Sequence, residues 1–460
     1  MNFKQFYLSC LSHASYYLGS DGEAVIIDPQ RDVDQYIEQA AANGERIKYV
    51  IETHSHADFV SGHNELAAKT GAQIVYGQRA ETQFPTLKVK DGDELQVGSI
   101  TLKILETPGH TPEGITVVAQ DAGEPTAPIK IFTGDTLFIG DVGRPDLIGS
   151  KGFSSEEMAG MLYDSLRDKI LPLPDNTEVY PAHGAGSMCG KNLSKETWST
   201  LGEQRQFNYA LQPMGREDFV RVVTADQTDV PIYFLKSAEK NLQGSASLDD
   251  ISAPRELSSD EILNFAGDVI DVRTAADYGR SHVPDSINIG LSGQFACWAG
   301  SLIPIGTSLV FVADNREQID EAVMRLARVG HETVEGFILF SDFTGDQKAI
   351  EQVSVDATAE FVESGRNLQF LDVRRDGEYK SGHGRSAESI PLDILADNIA
   401  HLDPAAPTYI ICQGGYRSSL GTSILENAGF KEIYNVTGGT KAWMDAGLDT
   451  EVSATACANS

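Results

Sequence analysis

An α/β protein with more than one domain is what this sequence predicts, and three observations support that class. Residues 1 to about 235 alternate short apolar runs with stretches of helical periodicity. Several of those apolar runs end on a histidine or an aspartate. The last part of the chain repeats a strand motif at a constant offset. With 460 residues, the chain is also too long for one core, at about 100–200 residues per domain.

The composition is that of an ordinary globular protein, with 41% hydrophobic and 22% charged residues. Because no apolar run approaches the roughly 20 residues needed to cross a bilayer and the N-terminus lacks a signal-peptide pattern, we expect a cytoplasmic protein. The net charge of −31 argues against a nucleic acid or an anionic membrane as partner. The odd, scattered set of cysteines fits a reducing compartment and leaves room for a nucleophile. These cysteines are Cys10, Cys189, Cys297, Cys412 and Cys457.

The first half of the chain divides into strands and helices by its apolar pattern. The runs at 24–29 and 49–51 predict strands, and the patterns at 33–42 and 62–70 predict helices. Further strands are predicted at 74–76, 94–97, 100–105 and 129–135, and one more begins at 179. Active sites of layered α/β folds gather where such strands give way to loops, so side chains at these strand ends are the candidates for chemistry.

Histidine and aspartate side chains cluster at four of these strand ends. The loop at 53–59 holds two imidazoles and a carboxylate, and a tight Gly/Pro turn at 107–112 presents a third imidazole. The strands that begin at 129 and 179 each deliver one more such group. The side chains are His54, His56, Asp58, His110, Asp135 and His183. One cluster could equally cap the next helix, but the four together predict a metal site.

The order of these groups, His-x-His-x-Asp, Gly-His, Gly-Asp and a late Ala-His-Gly, resembles the metallo-β-lactamase superfamily. The resemblance covers about the first half of the chain and implies an αββα sandwich. The family motif continues with a histidine after the aspartate, where this chain has Phe59. Because a phenyl ring cannot replace the imidazole that a second zinc needs, a two-zinc hydrolase becomes the weaker interpretation.

In the segments around these groups, the first half further resembles the persulfide dioxygenase branch of that superfamily. That branch implies a single Fe(II) per chain, bound by His54, His110 and Asp135. Two imidazoles and one carboxylate leave adjacent positions of an octahedral ion open for O₂ and substrate. The branch also implies a second set of residues that orients the ligands without binding the metal. That set is His56, Asp58 and His183.

Two further residues of the first half have more than one interpretation. The guanidinium of Arg144 suits the carboxylate of a thiol substrate such as glutathione, but it equally suits an ion pair with Asp141 or Asp146. Cys189 lies in a Gly-rich turn where it could be reactive, although most cysteines of this kind are buried and structural. We take Arg144 as a candidate substrate-binding residue.

A linker and an internal repeat organise the second half. Residues 237–255 contain small polar residues and little apolar periodicity, which predicts a linker. After it, a strand ending Asp-Val-Arg occurs twice, and a tyrosine and a histidine follow at equal distances. The offset is constant at 101 residues (372 − 271, 379 − 278 and 383 − 282). The second half therefore holds two copies of one α/β unit.

The second copy carries a candidate nucleophile. Its later strand, 409–411, leads into a loop from Cys412 to Arg417, and a helix is predicted at 419–428. Gly414 and Gly415 let backbone N–H groups converge on a bound anion, and the helix dipole and Arg417 add positive potential. That field should favour the Cys412 thiolate, the form that attacks sulfur. The alternative is an unreactive cysteine buried at a strand end.

The loop pattern Cys-x-x-Gly-x-Arg resembles that of rhodanese domains, which implies that Cys412 is a nucleophile that carries sulfur. Phosphatases with Cys-x₅-Arg loops need one residue more. In the first copy, alignment on a shared glycine (429 − 330, an offset of 99) places Ala313 at the cysteine position. Alanine cannot form a persulfide, and the neighbouring Asp314 and Glu317 would repel an anion. We interpret this copy as an inactive rhodanese-like domain used for packing, docking or dimerisation, and we expect a homo-oligomer.

The whole chain thus resembles a persulfide dioxygenase fused to a rhodanese. The expected parts are a metal domain at 1–236, a linker at 237–255, a degenerate rhodanese-like domain at 256–350 and an active one at 351–460. The resemblance implies that O₂ oxidises a low-molecular-weight thiol persulfide, of the glutathione or coenzyme A type, to sulfite and thiol. Sulfur transfer between persulfide, sulfite and thiosulfate would be coupled to it. Two alternatives stay open, namely a binuclear zinc thioester hydrolase resembling glyoxalase II with an appended sulfurtransferase, and a non-enzymatic carrier or sensor of sulfur species.

Overall fold

The computed structural model describes residues 1–147, 152–191, 193–225, 227, 230–365 and 367–452, so Cys457 lies outside the described residues. The chain divides into two compact units. The first unit is Met1–Ile251 with Leu326–His331, and the second is Ser252–Arg325 with Glu332–Ser460. Across the described residues, no helix is both long enough and apolar enough to span a bilayer.

Two six-stranded sheets form the first unit among the residues that are described, in the orders β1-β2-β3-β4-β5-β6 and β12-β11-β10-β9-β8-β7. Their strands are β1 Asn2–Leu8, β2 His13–Ser20, β3 Glu23–Ile27, β4 Arg46–Ile51, β5 Gln73–Gly77, β6 Leu87–Val89, β7 Glu94–Val97, β8 Ile100–Glu106, β9 Ile115–Asp121, β10 Lys130–Gly134, β11 Glu178–Pro181 and β12 Ser199–Thr200. The helices are α1 Asp34–Asn43, α2 His63–Thr70, α3 Ser155–Ser165, α4 Leu201–Phe207, α5 Arg216–Thr224 and α6 Tyr233–Gln243.

Period-two alternation along the strands gives each sheet two apolar faces. The sheets therefore pack against each other with one face and against helices with the other, which makes four layers. Val25 and Ile27 of β3 face Leu102 of the other sheet in the central core. Ile26 of the same strand points the other way and packs with Tyr36 of α1. Helices α3, α4 and α5 cover the second sheet on its outer face. The predicted αββα sandwich is therefore confirmed, with a core between the sheets and one under each helical layer.

Helix α6 differs from the sequence-based expectation, because it occupies the beginning of the predicted linker at 237–255. Tyr233 and Phe234 at its start are buried. Near its end, the buried Asn241 amide donates to the carbonyls of His56 and Phe59, at 2.8 Å each. This segment shows little apolar periodicity because its attachment to the first unit is largely polar.

Two five-stranded sheets and a two-stranded ribbon form the described part of the second unit, and the two larger sheets share one topology. Their orders are β13-β17-β16-β14-β15 and β18-β23-β22-β19-β21. The strands are β13 Arg255–Glu256, β14 Asp268–Asp271, β15 Ile287–Asn288, β16 Leu309–Ala313, β17 Val334–Leu339, β18 Glu351–Val353, β19 Gln369–Asp372, β20 His383–Gly384, β21 Glu388–Ser389, β22 Thr408–Ile411, β23 Ile433–Val436 and β24 Thr450–Glu451. The helices are α7 Ser259–Leu263, α8 Ala275–Arg280, α9 Phe295–Leu302, α10 Arg316–Ala327, α11 Val355–Glu363, α12 Asp376–Lys380, α13 Tyr416–Asn427 and α14 Gly439–Asp445.

Sheet register gives an independent alignment of the two copies. Asp271 pairs with Val312 in the first copy, and Asp372 pairs with Ile411 in the second. Ala313 directly follows Val312, and Cys412 directly follows Ile411. Ala313 is therefore the structural counterpart of Cys412. The first copy therefore lacks the nucleophile at the equivalent strand end, as the sequence predicts.

Candidate functional site

The predicted ligands meet at one end of the sandwich, where β4, β8 and β10 each give way to a loop. Ligand atoms of His54, His110 and Asp135 lie within 4.8 Å of one another, and all three side chains are buried. The two imidazole rings stand at 90° to each other with their centroids 5.0 Å apart. Among the described residues, Asp135 Oδ2 accepts no hydrogen bond although it is fully buried. A buried carboxylate oxygen of this kind fits a bound cation.

The backbone before Asp135 brings the two sheets close together. Gly134 ends β10 with φ of 52°, a region that favours glycine. A Cβ at this position would lie 2.4 Å from Thr53 Oγ1. Any larger residue would push Thr53 and His54 away from Asp135, so the glycine is required for the ligands to converge.

A hydroxyl group fixes the tautomer of His54. Thr53 Oγ1 donates to Asp28 Oδ2 at 2.8 Å and therefore accepts from His54 Nδ1, which lies 3.0 Å away. This leaves the lone pair of His54 Nε2 free toward Asp135. Burial lowers the pKa of His54 well below its ordinary value, so the ring is neutral as a metal ligand must be.

The other two ligands are oriented in the same way. His110 Nδ1 donates to the backbone carbonyl of Arg144 at 2.9 Å, which leaves Nε2 free. Asp135 Oδ1 accepts from His183 Nδ1 at 2.8 Å, which leaves Oδ2 facing the two imidazoles. Burial raises the pKa of Asp135, but the His183 cation, together with the adjacent imidazoles of His54 and His110, outweighs burial and holds that pKa well below its usual range. The carboxyl group is therefore ionised.

His183 lies between two carboxylates and is held as a cation. Its Nε2 lies 2.7 Å from Asp58 Oδ2, while its Nδ1 bonds to Asp135. Burial disfavours the charge, but Asp135 and Asp58 outweigh it and raise the pKa of His183 to about 10. The structure thus brings Asp58 and His183 beside the predicted ligand set, with both imidazole nitrogens of His183 protonated.

His56 turns away from the three ligands. Its Nε2 lies 3.2 Å from Asp28 Oδ1 and 3.4 Å from Glu52 Oε2. Burial opposes protonation, but these carboxylates raise the pKa of His56 well above its ordinary value. The ligand atoms of His56, Asp58 and His183 also lie within 4.8 Å of one another. An ion in that second position would have to displace the protons on both imidazoles.

A phenyl ring occupies the position from which the superfamily's extra imidazole is missing. Phe59 is 1% exposed, and its ring centroid lies 4.1 Å from that of His13 and 4.5 Å from that of His56. His13 is fully buried, and burial lowers its pKa well below the ordinary value. The second position is therefore bordered by a phenyl ring that offers no ligand atom.

Arg144 forms an ion pair with Asp146, which was one of the two interpretations that the sequence left open for this residue. Its Nε and Nη2 donate to the two carboxylate oxygens of Asp146, at 2.7 Å each. The Arg144 side chain is 2% exposed, and its backbone carbonyl is the group that orients His110. Binding of a substrate carboxylate by Arg144 stays a prediction.

Cys189 is buried close to the predicted metal position. Its sulfur lies within 4.8 Å of ligand atoms of Asp135 and His183. Burial, with the nearby carboxylates, raises the pKa of the Cys189 thiol well above its ordinary value, so it is protonated at neutral pH. Its backbone carbonyl accepts from the Arg144 N–H at 2.9 Å. These observations favour the structural interpretation of this cysteine.

Several residues that shape the site were not identified from the sequence. Asp28 anchors both Thr53 and His56, and Asn241 holds the backbone of the histidine loop from helix α6. The signal for Asp28 was its position at the end of a strong apolar run, where it stands with φ of 51°. Nothing in the local sequence marks Asn241, because its partners lie more than 180 residues away.

The cavity beside the ligands is very small, at about 10 Å³, whereas small-molecule sites usually measure about 300–1,000 Å³. Hydroxyl side chains make up much of its wall. They are Thr53, Thr107, Thr111, Thr133 and Thr136. A space of this size admits a group about as large as one water molecule.

The cysteine loop of the second unit is preorganised around sulfur. Cys412 is 1% exposed, and its Sγ accepts from the N–H of Gly415 at 3.1 Å and lies 3.3 Å from Ser418 Oγ. Gly415 has φ of 101°, which allows the sharp turn into the helix. Helix α13 begins at Tyr416 and not at 419 as predicted, so Arg417 lies in its first turn. This arrangement points backbone donors at an anion on Cys412.

Arg417 is held beside the loop by a carboxylate. Its two terminal nitrogens donate to the two oxygens of Glu378, at 2.6 and 2.7 Å. Burial raises the pKa of Glu378, but Arg417 outweighs burial and lowers it. The guanidinium is therefore fixed in place by a charged partner from helix α12.

Comparison with known families accounts for both units. The family described as Metallo-beta-lactamase superfamily matches residues 8–183. The family described as Rhodanese-like domain matches residues 255–337 and 354–446, one range for each copy of the repeat.

Individual proteins and a solved structure are also similar to this chain. Persulfide dioxygenase ETHE1, mitochondrial, of Bos taurus is 34% identical over 221 residues, which cover 47% of this chain and 77% of that protein. Hydroxyacylglutathione hydrolase of Hahella chejuensis (strain KCTC 2396) is 33% identical over 162 residues, which cover 35% of this chain and 57% of that protein. A metallo-beta-lactamase structure from Staphylococcus aureus subsp. aureus COL matches with a TM-score of 0.67 and 33% identity, covering 74% of this chain and 98% of that chain.

Proposed function

Because this chain belongs to the metallo-beta-lactamase superfamily and carries two rhodanese-like domains, we propose that it is a persulfide dioxygenase joined to a sulfurtransferase. The observation that carries the proposal is the convergence of His54, His110 and Asp135, with Phe59 in place of a further imidazole. The cofactor would be one Fe(II) per chain on these three residues.

The first reaction consumes a low-molecular-weight thiol persulfide, of the glutathione or coenzyme A type. It is RSSH + O₂ + H₂O → RSH + SO₃²⁻ + 2 H⁺, in which the electrons lost by sulfur reduce O₂. An iron held by His54, His110 and Asp135 would supply the redox chemistry that O₂ needs in order to oxidise the terminal sulfur. The small threonine-lined cavity suits the terminal sulfur, while the rest of the thiol stays outside.

The chain's own residues orient the ligands and hold protons. Thr53 and the Arg144 carbonyl keep the Nε2 atoms of His54 and His110 free for the metal. His183, protonated between Asp58 and Asp135, holds a proton beside the site that the thiol product needs. His56 and the ion pair of Arg144 with Asp146 stabilise the surrounding loops.

The second reaction is sulfur transfer at Cys412. The thiolate attacks the outer sulfur of thiosulfate, a Cys412 S–S bond forms, and sulfite leaves with the electron pair of the broken S–S bond. The reverse direction makes thiosulfate from a Cys412 persulfide and the sulfite released by the first reaction. Gly415 N–H and Ser418 Oγ supply donors for these anions, and Arg417, held by Glu378, adds positive charge beside the loop.

The first half of the proposal is tested by metal analysis together with an oxygen electrode. We expect about one iron per chain and oxygen uptake when glutathione persulfide is added to the anaerobically purified protein. Asp135→Ala should lose both the iron and the uptake, whereas Asp146→Ala, which removes only the partner of Arg144, should keep the iron. Purified protein with two zinc ions and no oxygen uptake would contradict the proposal.

The second half is tested with Cys412→Ser. This variant should lose thiosulfate-to-cyanide sulfur transfer completely and keep the oxygen uptake of the first unit. Cys10→Ser serves as the matched control and should keep both activities. Sulfur transfer that survives in Cys412→Ser would exclude Cys412 as the carrier.

A second candidate function is a binuclear zinc thioester hydrolase, and similarity to the hydroxyacylglutathione hydrolase supports it. The proximity of His56, Asp58 and His183 supports it as well. Against it stand Phe59 and the protonated state of both imidazoles. Hydrolysis of S-lactoylglutathione by the zinc-loaded protein would favour this candidate.

A further inference from the structure

One face of helix α13 bonds to the degenerate copy along its whole length. Positions 416, 419, 423, 426 and 427 recur at the three- and four-residue spacing of a single helix face. The contacts are Tyr416 Oη to the Gly290 carbonyl (2.9 Å), Ser419 Oγ to Asn288 Oδ1 (2.6 Å), the Asn288 N–H to Ser423 Oγ (3.2 Å), His282 Nε2 to Glu426 Oε2 (3.0 Å) and Asn427 Nδ2 to the Asp285 carbonyl (3.1 Å). We call these five α13 residues the docking face. All the residues that make these contacts belong to the same compact unit.

Tyr416 connects the docking face directly to the cysteine loop. It lies inside the loop segment 412–417, and its hydroxyl donates to the degenerate copy. Burial raises the pKa of Tyr416, so the hydroxyl is protonated and can donate at neutral pH. The ring also packs on Gly293 of the degenerate copy, where a Cβ would lie 2.6 Å from ring carbons. The loop is therefore held from outside its own domain through one aromatic side chain.

Asn288 connects the Asp-Val-Arg strand end of the degenerate copy to helix α13. Its Nδ2 donates to the carbonyls of Asp271 and Arg273, at 3.1 Å each, while its Oδ1 accepts from Ser419. Sheet register makes Ser389 the counterpart of Asn288 in the active copy, because Asp271 pairs with Asn288 and Asp372 with Ser389. A serine is too short to make the same bridge. The Asp-Val-Arg strand end of the copy without a cysteine thus anchors the helix of its neighbour.

We propose that the degenerate copy positions the Cys412 site, and that Tyr416 is the positioning residue through which it acts. The proposal rests on the sulfur-transfer function proposed above. Gly415 N–H, directly before α13, and Ser418 Oγ, in its first turn, reach Cys412, and Arg417 lies in that turn as well. Any shift of α13 moves these donors away from the sulfonate of an anionic sulfur compound such as thiosulfate. The degenerate copy fixes α13 and so keeps the donors in place.

The test compares an anionic with a neutral alkylating reagent at Cys412 in the full-length protein. Mass spectrometry of the Cys412 peptide gives the rates with iodoacetate and with iodoacetamide. In the unaltered protein the donors should favour iodoacetate. Tyr416→Phe, and Gly293→Ala in the degenerate copy, should lower the ratio of the two rates about threefold to tenfold, the effect of losing about one hydrogen bond. The KM for thiosulfate should rise by a similar factor.

A matched control separates positioning from general loosening. Tyr379 makes the same type of bond, from its hydroxyl to the Ala387 carbonyl, but stays within the active copy. Tyr379→Phe should leave the ratio unchanged, since general opening of the fold speeds both reagents alike. Ser419→Ala replaces Tyr416→Phe if the latter does not fold. An unchanged ratio in both Gly293→Ala and the α13 variant overturns the proposal.

The measurements also distinguish failure of this positioning proposal from failure of the sulfur-transfer function on which it rests. If the unaltered protein transfers no sulfur from thiosulfate to cyanide, the proposed sulfurtransferase activity fails. The alkylation ratios still decide whether the degenerate copy positions the loop. If sulfur transfer is present and the ratios do not respond, the positioning proposal fails and the sulfurtransferase stands.

Discussion

At the level of single residues, hydrogen bonds from neighbouring groups orient the three predicted metal ligands. Thr53 Oγ1 and the Arg144 carbonyl each accept a hydrogen bond from one imidazole Nδ1, and His183 Nδ1 donates to one oxygen of Asp135. These bonds direct the other ligand atoms, His54 Nε2, His110 Nε2 and Asp135 Oδ2, toward one another. Three hydrogen bonds around the site thus determine which atom of each residue is available to a metal.

We expect Thr53→Val to lower metal affinity about tenfold to a hundredfold, because the His54 ring loses the acceptor that fixes its tautomer. Competition with a chelator of known affinity measures the change. Thr116→Val is the matched control, since that buried hydroxyl bonds to Thr107 and to no ligand. Equal affinities in the two variants would show that the hydroxyl of Thr53 does not orient His54.

At the level of elements, helix α6 acts as a clamp on the loop that carries the first histidines. Asn241 donates to the carbonyls of His56 and Phe59 and accepts from the Ser61 N–H, all at 2.8 Å. One side chain therefore satisfies three backbone groups of a loop that has no regular secondary structure. The helix and the metal loop are far apart in sequence, so the clamp forms only when the unit is folded.

Asn241→Ala should destabilise the first unit by at least about 2 kcal/mol, because it leaves buried backbone groups without partners. Urea unfolding followed by tryptophan fluorescence measures the loss. Gln243→Ala on the same helix is the control, since Gln243 is exposed and its amide bonds only to Glu239 on that helix among the described contacts. A loss of similar size in both variants would mean that α6 contributes helix stability and no clamp.

At the level of the whole molecule, the proposed function gives the chain two sites whose reactions are linked through sulfur compounds. The first unit holds a buried carboxylate oxygen without a hydrogen-bond partner among the described residues, and a cation would satisfy it. The second unit holds a cysteine surrounded by donors and a second copy of the same fold without the cysteine. Sulfite, the product expected at the first site, is a substrate or product at the second.

Metal removal should destabilise the first unit. At a metal concentration about a thousandfold above the dissociation constant, binding stabilises the folded state by about 4 kcal/mol. Calorimetry with and without a chelator should therefore show the transition of that unit at a lower temperature without metal. Asp135→Asn should show no such shift, because its amide replaces the charged ligand. A chelator effect that persists in Asp135→Asn would locate the metal elsewhere.

Much of this could be predicted from local patterns. The αββα class follows from alternating apolar runs such as that around Ile26 and from the His and Asp residues at strand ends, and the repeat follows from identical spacing. The linker prediction failed at α6, because Asn241 attaches that helix through polar bonds that leave no periodic signal. The start of α13 was placed too late, because the positive φ of Gly415 that begins the helix is a backbone property.

The sequence by itself determined the ligand types, their order, the lost imidazole at Phe59 and the lost cysteine at Ala313, since these depend only on side-chain identity. Only the tertiary structure decided which of the buried histidines are neutral and which are charged, because Asp28 near His56 and Asp58 near His183 lie far from those histidines in the sequence. It alone also revealed that Tyr416 reaches Gly290 of the degenerate copy. Hydrogen bonds between residues far apart in the chain form only after the sheets and helices have packed.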